Sequence, residues 1–119
     1  KDDLSHLFKI KTAIDNKELI CIHSDRNLEG AKTIATKIFN KKVHLPLGPF
    51  AIASKLNIPY SFVFSIKESM YKYHFTATKP QISSDPQIIA NEFAEVLSEK
   101  LSKHPEQWFN YFNIFENNK

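Results

Sequence analysis

Glu18-Leu19-Ile20-Cys21-Ile22-His23 is the run whose reading decides the fold. Its apolar centre shows neither helical spacing nor strict alternation, and Asp15-Asn16 before it and Ser24-Asp25 after it are turn-forming. Such a run reads as a short strand covered on both faces, as in a parallel sheet. Cys21, the sole cysteine, then belongs in the core and forms no internal disulfide.

Upstream of this run, Leu4, Leu7, Phe8 and Ile14 share one helical face behind Asp2 and Asp3, which predicts a helix over residues 3–15. Downstream, residues 24–30 form a polar loop. Residues 31–40 fit both periods; their β-branched content favours a strand, and Asn40 before two lysines suits a left-handed turn. Pro49 after Gly48 opens a short helix ending at Asn57, before Pro59. Residues 60–66 read as a second buried strand and 67–69 as a turn. In residues 70–78, Tyr71, Tyr73, Phe75 and Ala77 alternate with Lys72, His74 and Thr76, as on a half-exposed antiparallel edge.

After a linker over 79–85, Asp85-Pro86 opens a long amphipathic helix with Ile89, Phe93, Val96, Leu97 and Leu101 inward. Pro105 restarts a final helix through Trp108, Phe109 and Phe112. With Tyr111 and Phe115 these rings form either a core cap, which is favoured, or a membrane-interface belt. The resulting expectation is a single α/β domain over residues 1–119. It has three layers, a mostly parallel sheet with an antiparallel edge hairpin, and flanking helices.

Composition narrows the function. The net charge of +3 is carried almost wholly by dispersed lysines, with Arg26 the sole arginine, so nothing points to nucleic acid, while an anionic lipid or an acidic protein remains a possible partner. No apolar stretch is long enough to span a bilayer, and no targeting segment is visible. The five histidines, at 6, 23, 44, 74 and 104, lack zincin spacing, and one cysteine makes no zinc finger, so no metal is expected. With two glycines there is no phosphate- or dinucleotide-binding loop, and no cofactor is expected.

Two segments remain as candidate sites. His23-Ser24-Asp25-Arg26 falls at the C-terminal end of the first expected strand, where open α/β sheets present ligand loops. Asp25 and Arg26 make either an ordinary salt bridge or a fork that orients an anionic group. Leu45-Pro46-Leu47-Gly48-Pro49-Phe50 is either a tight loop or a place where Gly48 admits a ligand and the helix beginning at Pro49 aims N–H groups at an anion or oxyanion.

Taken in order, Asp25-Arg26, Ile38-Phe39-Asn40-Lys41-Lys42, Leu45-Pro46-Leu47-Gly48-Pro49-Phe50, Ile58-Pro59 and His104-Pro105-Glu106-Gln107-Trp108-Phe109-Asn110-Tyr111-Phe112 follow one pattern. It resembles the lipid A biosynthesis acyltransferase branch of the lysophospholipid acyltransferase superfamily, over nearly the whole chain. The Pro-Glu-Gln-Trp-Phe-Asn segment is its most specific piece. The resemblance implies a parallel-centred α/β fold and acyl transfer from acyl carrier protein or coenzyme A to a hydroxyl or amine of a lipid acceptor. It further implies a peripheral place on the cytoplasmic face of a bacterial inner membrane and a substrate-binding role for Asp25, Arg26, Gly48 and Pro49. The family's catalytic His-x-x-x-x-Asp motif is not among these residues: the positions five beyond each histidine are Lys11, Leu28, Pro49, Lys79 and Phe109. The chain therefore reads as the soluble C-terminal part of the enzyme, holding no catalytic residue and inactive alone. The rival reading is a non-enzymatic module that binds an anionic lipid or an acidic carrier protein.

Overall fold

The computed structural model describes residues 3–108 and 113–115. The first element is helix α1, Asp3–Asp15. It closes in a Schellman arrangement: Glu18 N–H donates to the Ala13 carbonyl, Lys17 N–H donates to the Ile14 carbonyl, both at 2.9 Å, and Lys17 takes φ 58°. The helix packs extensively on no other element, leaving Leu7 and Phe8 exposed.

The expected parallel sheet is not formed. Among the described residues there are two antiparallel two-stranded sheets, β1 (Thr33–Ile38) with β2 (Lys41–Pro46), and β3 (Val63–Ser69) with β4 (Lys72–Ala77). Each strand finds its ladder in the neighbour a short turn away, so no crossover connection is needed. Residues 18–23 form no helix or strand and pair with no strand among the described residues, and Leu19 is 91% exposed. Cys21 is exposed as well, not a core thiol. An apolar run becomes a buried strand only when other strands flank it, and among the described residues none does.

The ambiguous segment 31–40 is strand β1, paired in register from Thr33↔Pro46 to Ile38↔Lys41. Its two-residue turn, Phe39-Asn40, has φ 52° and 60°, the positive pair that matches the twist of a tight hairpin. Alternation sends Ile34, Thr36 and Ile38 of β1 and Val43 and Leu45 of β2 to the buried face. Helix α2, Leu47–Lys55, follows directly. It starts two residues before the expected Pro49, because a first helical turn needs no N–H from proline. Ile58 N–H to Ala53 O (3.2 Å) and Asn57 N–H to Ser54 O (3.3 Å) close it, with Asn57 at φ 49°.

The second hairpin differs from its expectation in three ways. Residues 67–69 belong to β3, with an irregularity between Lys67 and Ser69, and the turn is Met70-Tyr71. The strand expected over 60–66 is half exposed, since Val63 and Ser65 face solvent while Phe64 packs on the core. On β4 the aromatic side is the outer one: Tyr73 and Phe75 pair across from Lys67 and Ser65 and stay exposed.

Helix α3, Pro86–Lys103, organises the rest. Asp85 caps it, its Oδ1 accepting from Gln87 N–H at 2.8 Å. Its Ile89, Ala90, Phe93, Ala94, Leu97 and Leu101 are buried against the β1–β2 hairpin and α2. Phe93 meets the rings of Phe50 (5.8 Å), Phe62 (5.3 Å) and Phe64 (6.1 Å), which ties α2 and β3 to α3. Pro105–Gln107 is a 3-10 turn; Phe109, Tyr111 and Phe112 of the expected final helix lie outside the described residues. Trp108 stands edge-on to Phe115 and both pack against the core, as a capping cluster does. Among the described residues no helix is long and apolar enough to cross a membrane.

Candidate functional site

The two segments singled out in the sequence are linked through β2. The loop at 24–30 lies on the first hairpin, where Asn27 Nδ2 donates to the His44 carbonyl at 2.6 Å. The loop ends at Gly30, whose φ of 76° suits glycine, and Ala31 N–H returns to the Leu28 carbonyl at 3.0 Å. His44 Nδ1 lies 3.3 Å from Thr33 Oγ1 across the strands. The α2 start is fixed to the same place, since Leu47 N–H donates to the Lys32 carbonyl at 2.9 Å. Asp25-Arg26 thus directly precedes the residue tethered to β2, and Gly48-Pro49 lies in the first turn of the helix that β2 leads into.

Asp25 and Arg26 form an ion pair, Oδ2 to Nε at 3.7 Å, with the Arg26 side chain 45% exposed. That length and exposure make it worth little to stability. Gly48 is exposed, and a Cβ built there would meet nothing within 4 Å. Neither a positive φ nor packing calls for glycine at this position. Pro46 caps α2 without a side-chain hydrogen bond, and of the first helical N–H groups that of Leu47 is taken by the Lys32 carbonyl. Asn27 Oδ1 is buried with no partner among the described residues.

No group of three or more His, Cys, Asp or Glu among the described residues is placed to hold a metal ion. His6 and His23 are exposed; His74 Nδ1 lies 3.5 Å from Glu68, and His104 Nδ1 4.0 Å from Glu106.

Three features escaped the sequence reading. Tyr60 Oη donates to Glu92 Oε2 at 2.5 Å, and with Gln81 and Thr78 this pair lines a pocket of about 210 Å³. Burial first, then the hydrogen bond to Glu92 and its negative charge, push the Tyr60 phenol up to about 12. Next, a groove of about 620 Å³ runs between the first hairpin and α3, where Thr36 Oγ1 donates to Asn91 Oδ1 at 2.9 Å. Gln87 closes part of the β1 edge by donating to the Ala35 carbonyl at 2.8 Å. Finally, Gln107 clamps the β3 backbone: Lys67 N–H donates to its Oε1 at 2.7 Å and its Nε2 donates to the Lys67 carbonyl at 2.9 Å. A side-chain amide here completes the pairing of a strand residue, which gives the Pro-Glu-Gln-Trp segment a structural task. These contacts join residues 32 or more positions apart, and no local pattern announces them.

Comparison with known proteins agrees with the resemblance read from the motifs. The sequence model described as bacterial lipid A biosynthesis acyltransferase matches residues 3–116. No curated protein and no solved structure gives a significant match.

Proposed function

Because the chain belongs to the bacterial lipid A biosynthesis acyltransferase family, we propose that it forms the C-terminal part, one domain over residues 1–119, of an enzyme that moves an acyl chain from acyl carrier protein or coenzyme A to a hydroxyl or amine of a lipid acceptor. The observation that carries this reading is the family match over almost the full length. The accessible Arg26 beside the β2–α2 junction supports it, as a place where an anionic part of donor or acceptor is held.

Chemistry in this scheme is divided between two parts of the protein. A His-x-x-x-x-Asp motif, which these residues do not contain, supplies the base. The base takes the acceptor's proton as its oxygen or nitrogen bonds to the thioester carbon. The C–S bond then breaks as the tetrahedral oxyanion collapses, and the departing thiolate recovers a proton. Arg26, positioned by Asp25, orients phosphate or carboxylate, and Gly48 and Pro49 leave the α2 N-terminus open toward the reacting group. The enzyme works at the cytoplasmic face of the inner membrane.

The test is transfer of a labelled acyl chain from acyl carrier protein or coenzyme A thioesters to a panel of lipid acceptors. The intact gene product transfers the label, the 119-residue chain alone does not, and Arg26→Ala in the intact protein raises KM for one substrate. An active isolated chain, or an intact protein inert with every donor and acceptor, overturns the reading. Inertness together with tight binding of an anionic lipid or of acyl carrier protein would favour a binding module instead.

A further inference from the structure

The lysines are spread through the chain, but the acids are not. Residues 30–67 hold six lysines and no Asp or Glu, while the remaining residues hold more acids than bases. Four of the six, Lys32, Lys37, Lys41 and Lys42, lie on or next to the β1–β2 hairpin. Lys37 and Lys42 are direct cross-strand partners, and both are exposed. Like charges placed opposite each other on a strand pair oppose pairing, so strand pairing alone does not favour this arrangement. The hairpin is held from its other face by Ile34, Ile38, Val43 and Leu45, which keeps the lysine face outward.

The turn points the same way. Phe39 sits at φ 52°, a conformation that favours Gly, Asn or Asp and disfavours a bulky side chain, yet its ring is 49% exposed. A strained position thus presents an aromatic ring at the tip of a basic hairpin. Beside it lies the groove of about 620 Å³, lined by Lys37, Phe39, Asn40 and Lys42 on the hairpin and by Asn91 and Glu95 on α3. Cations at headgroup level with an apolar ring between them are the components of a peripheral contact with an anionic bilayer.

We propose that the turn and outer face of the β1–β2 hairpin dock on an anionic lipid bilayer, Lys37 and Lys42 meeting phosphate headgroups while Phe39 enters the interface between them. The assignment deepens the acyltransferase reading, on which it rests for a lipid surface. Charge complementarity selects the occupant: the hairpin carries no acid, and the ring at its tip has a place in a bilayer interface but none against a purely ionic partner.

The experiment is co-sedimentation of the protein, without any acyl donor, with vesicles of phosphatidylcholine alone and of phosphatidylcholine mixed with phosphatidylglycerol. Binding rises with the phosphatidylglycerol fraction and falls with added salt. Each lysine is worth about fivefold at low salt, so Lys37→Gln with Lys42→Gln weakens binding about twenty-fivefold. Phe39→Asn weakens it about tenfold, the share of one partly inserted ring. Because Asn suits the left-handed turn, that variant keeps or raises the melting temperature, so loss of binding cannot be put down to unfolding. Equal binding to both vesicle types, or unchanged binding by Phe39→Asn and by the double lysine variant, overturns the proposal. So does tighter binding to a single-stranded oligonucleotide or an acidic peptide than to the anionic vesicles. Transfer to detergent-dispersed acceptor is measured separately: transfer without vesicle binding rejects the docking surface alone, and vesicle binding without transfer rejects the acyltransferase reading alone.

Discussion

Phe93→Ala probes the junction on which the fold depends. Phe93 is 8% exposed and its ring meets Phe50 of α2, Phe62 ahead of β3 and Phe64 within it. Removing a buried phenyl costs about 3–5 kcal/mol through lost transfer energy and the cavity left behind. Three aromatic partners place this site near the upper end, at about 4–5 kcal/mol. The 119 residues supply a total of about 6–18 kcal/mol at the usual stability per residue, so the variant forfeits a large part of it. The β3–β4 hairpin feels the change most. Two strands alone are marginal in water, and this pair reaches α3 through Phe62, Phe64, Tyr60 and little else. Urea titration followed by fluorescence of Trp108, the sole tryptophan, gives the global value. Amide exchange gives its distribution, with β3–β4 amides in the variant exchanging faster than those of β1–β2. Phe93→Leu keeps an apolar filler without the ring geometry and costs about 1.5 kcal/mol. A loss below about 1 kcal/mol for Phe93→Ala, or β3–β4 amides as well protected as those of β1–β2, refutes the reasoning.

Tyr60 makes stability fall at high pH: its phenol is raised from 10.0 to about 12, so its contribution is complete below pH 10 and is lost as pH climbs through about 12. Wild type should therefore lose stability relative to Tyr60→Phe over that window in thermal melts, and parallel curves for the two proteins count against it. Gln107→Ala removes two hydrogen bonds to an exposed backbone position and costs about 1 kcal/mol, with the Lys67 amide exchanging faster; an unchanged Lys67 amide denies the clamp. Gly48→Ala introduces a Cβ that meets nothing within 4 Å, so stability stays within about 0.5 kcal/mol of wild type while acyl transfer by the intact protein slows. Full activity in that variant removes Gly48 from the substrate-facing surface.

Helical elements were largely legible because they announce themselves locally. Asp85-Pro86 states a cap and a first turn, and the spacing from Ile89 to Leu101 states the buried face, so the start and inward side of α3 are legible. Asn40 in a left-handed turn was readable for the same reason. The parallel sheet was not there to be read, because residues 18–23 carry the composition of a covered strand while a cover is a property of other segments. The outward aromatic side of β4 failed similarly: alternation shows that two faces differ, but Phe64 packing on the core decides which one turns in. At the candidate site, the Asp25–Arg26 pair was visible as adjacent residues. Its tether from Asn27 to His44 spans 17 positions and depends on the hairpin already being folded.

That dependence joins the core to the surface. Side chains on a strand alternate, so burying Ile34, Ile38, Val43 and Leu45 also fixes Lys37, Lys42 and His44 on the opposite face. The turn at Phe39-Asn40 sets which of the two sets goes inward, since a slip of one residue would exchange them. The same register brings the His44 carbonyl to Asn27 and the Lys32 carbonyl to Leu47 N–H, placing the Asp25–Arg26 loop and the start of α2. A single local choice, a two-residue turn with both φ values positive, therefore sets the burial of the core, the basic outer face and the placement of Arg26 relative to Gly48. That turn carries the strain of an aromatic residue whose ring is half exposed, so a reason for keeping phenylalanine there lies outside the fold's own stability.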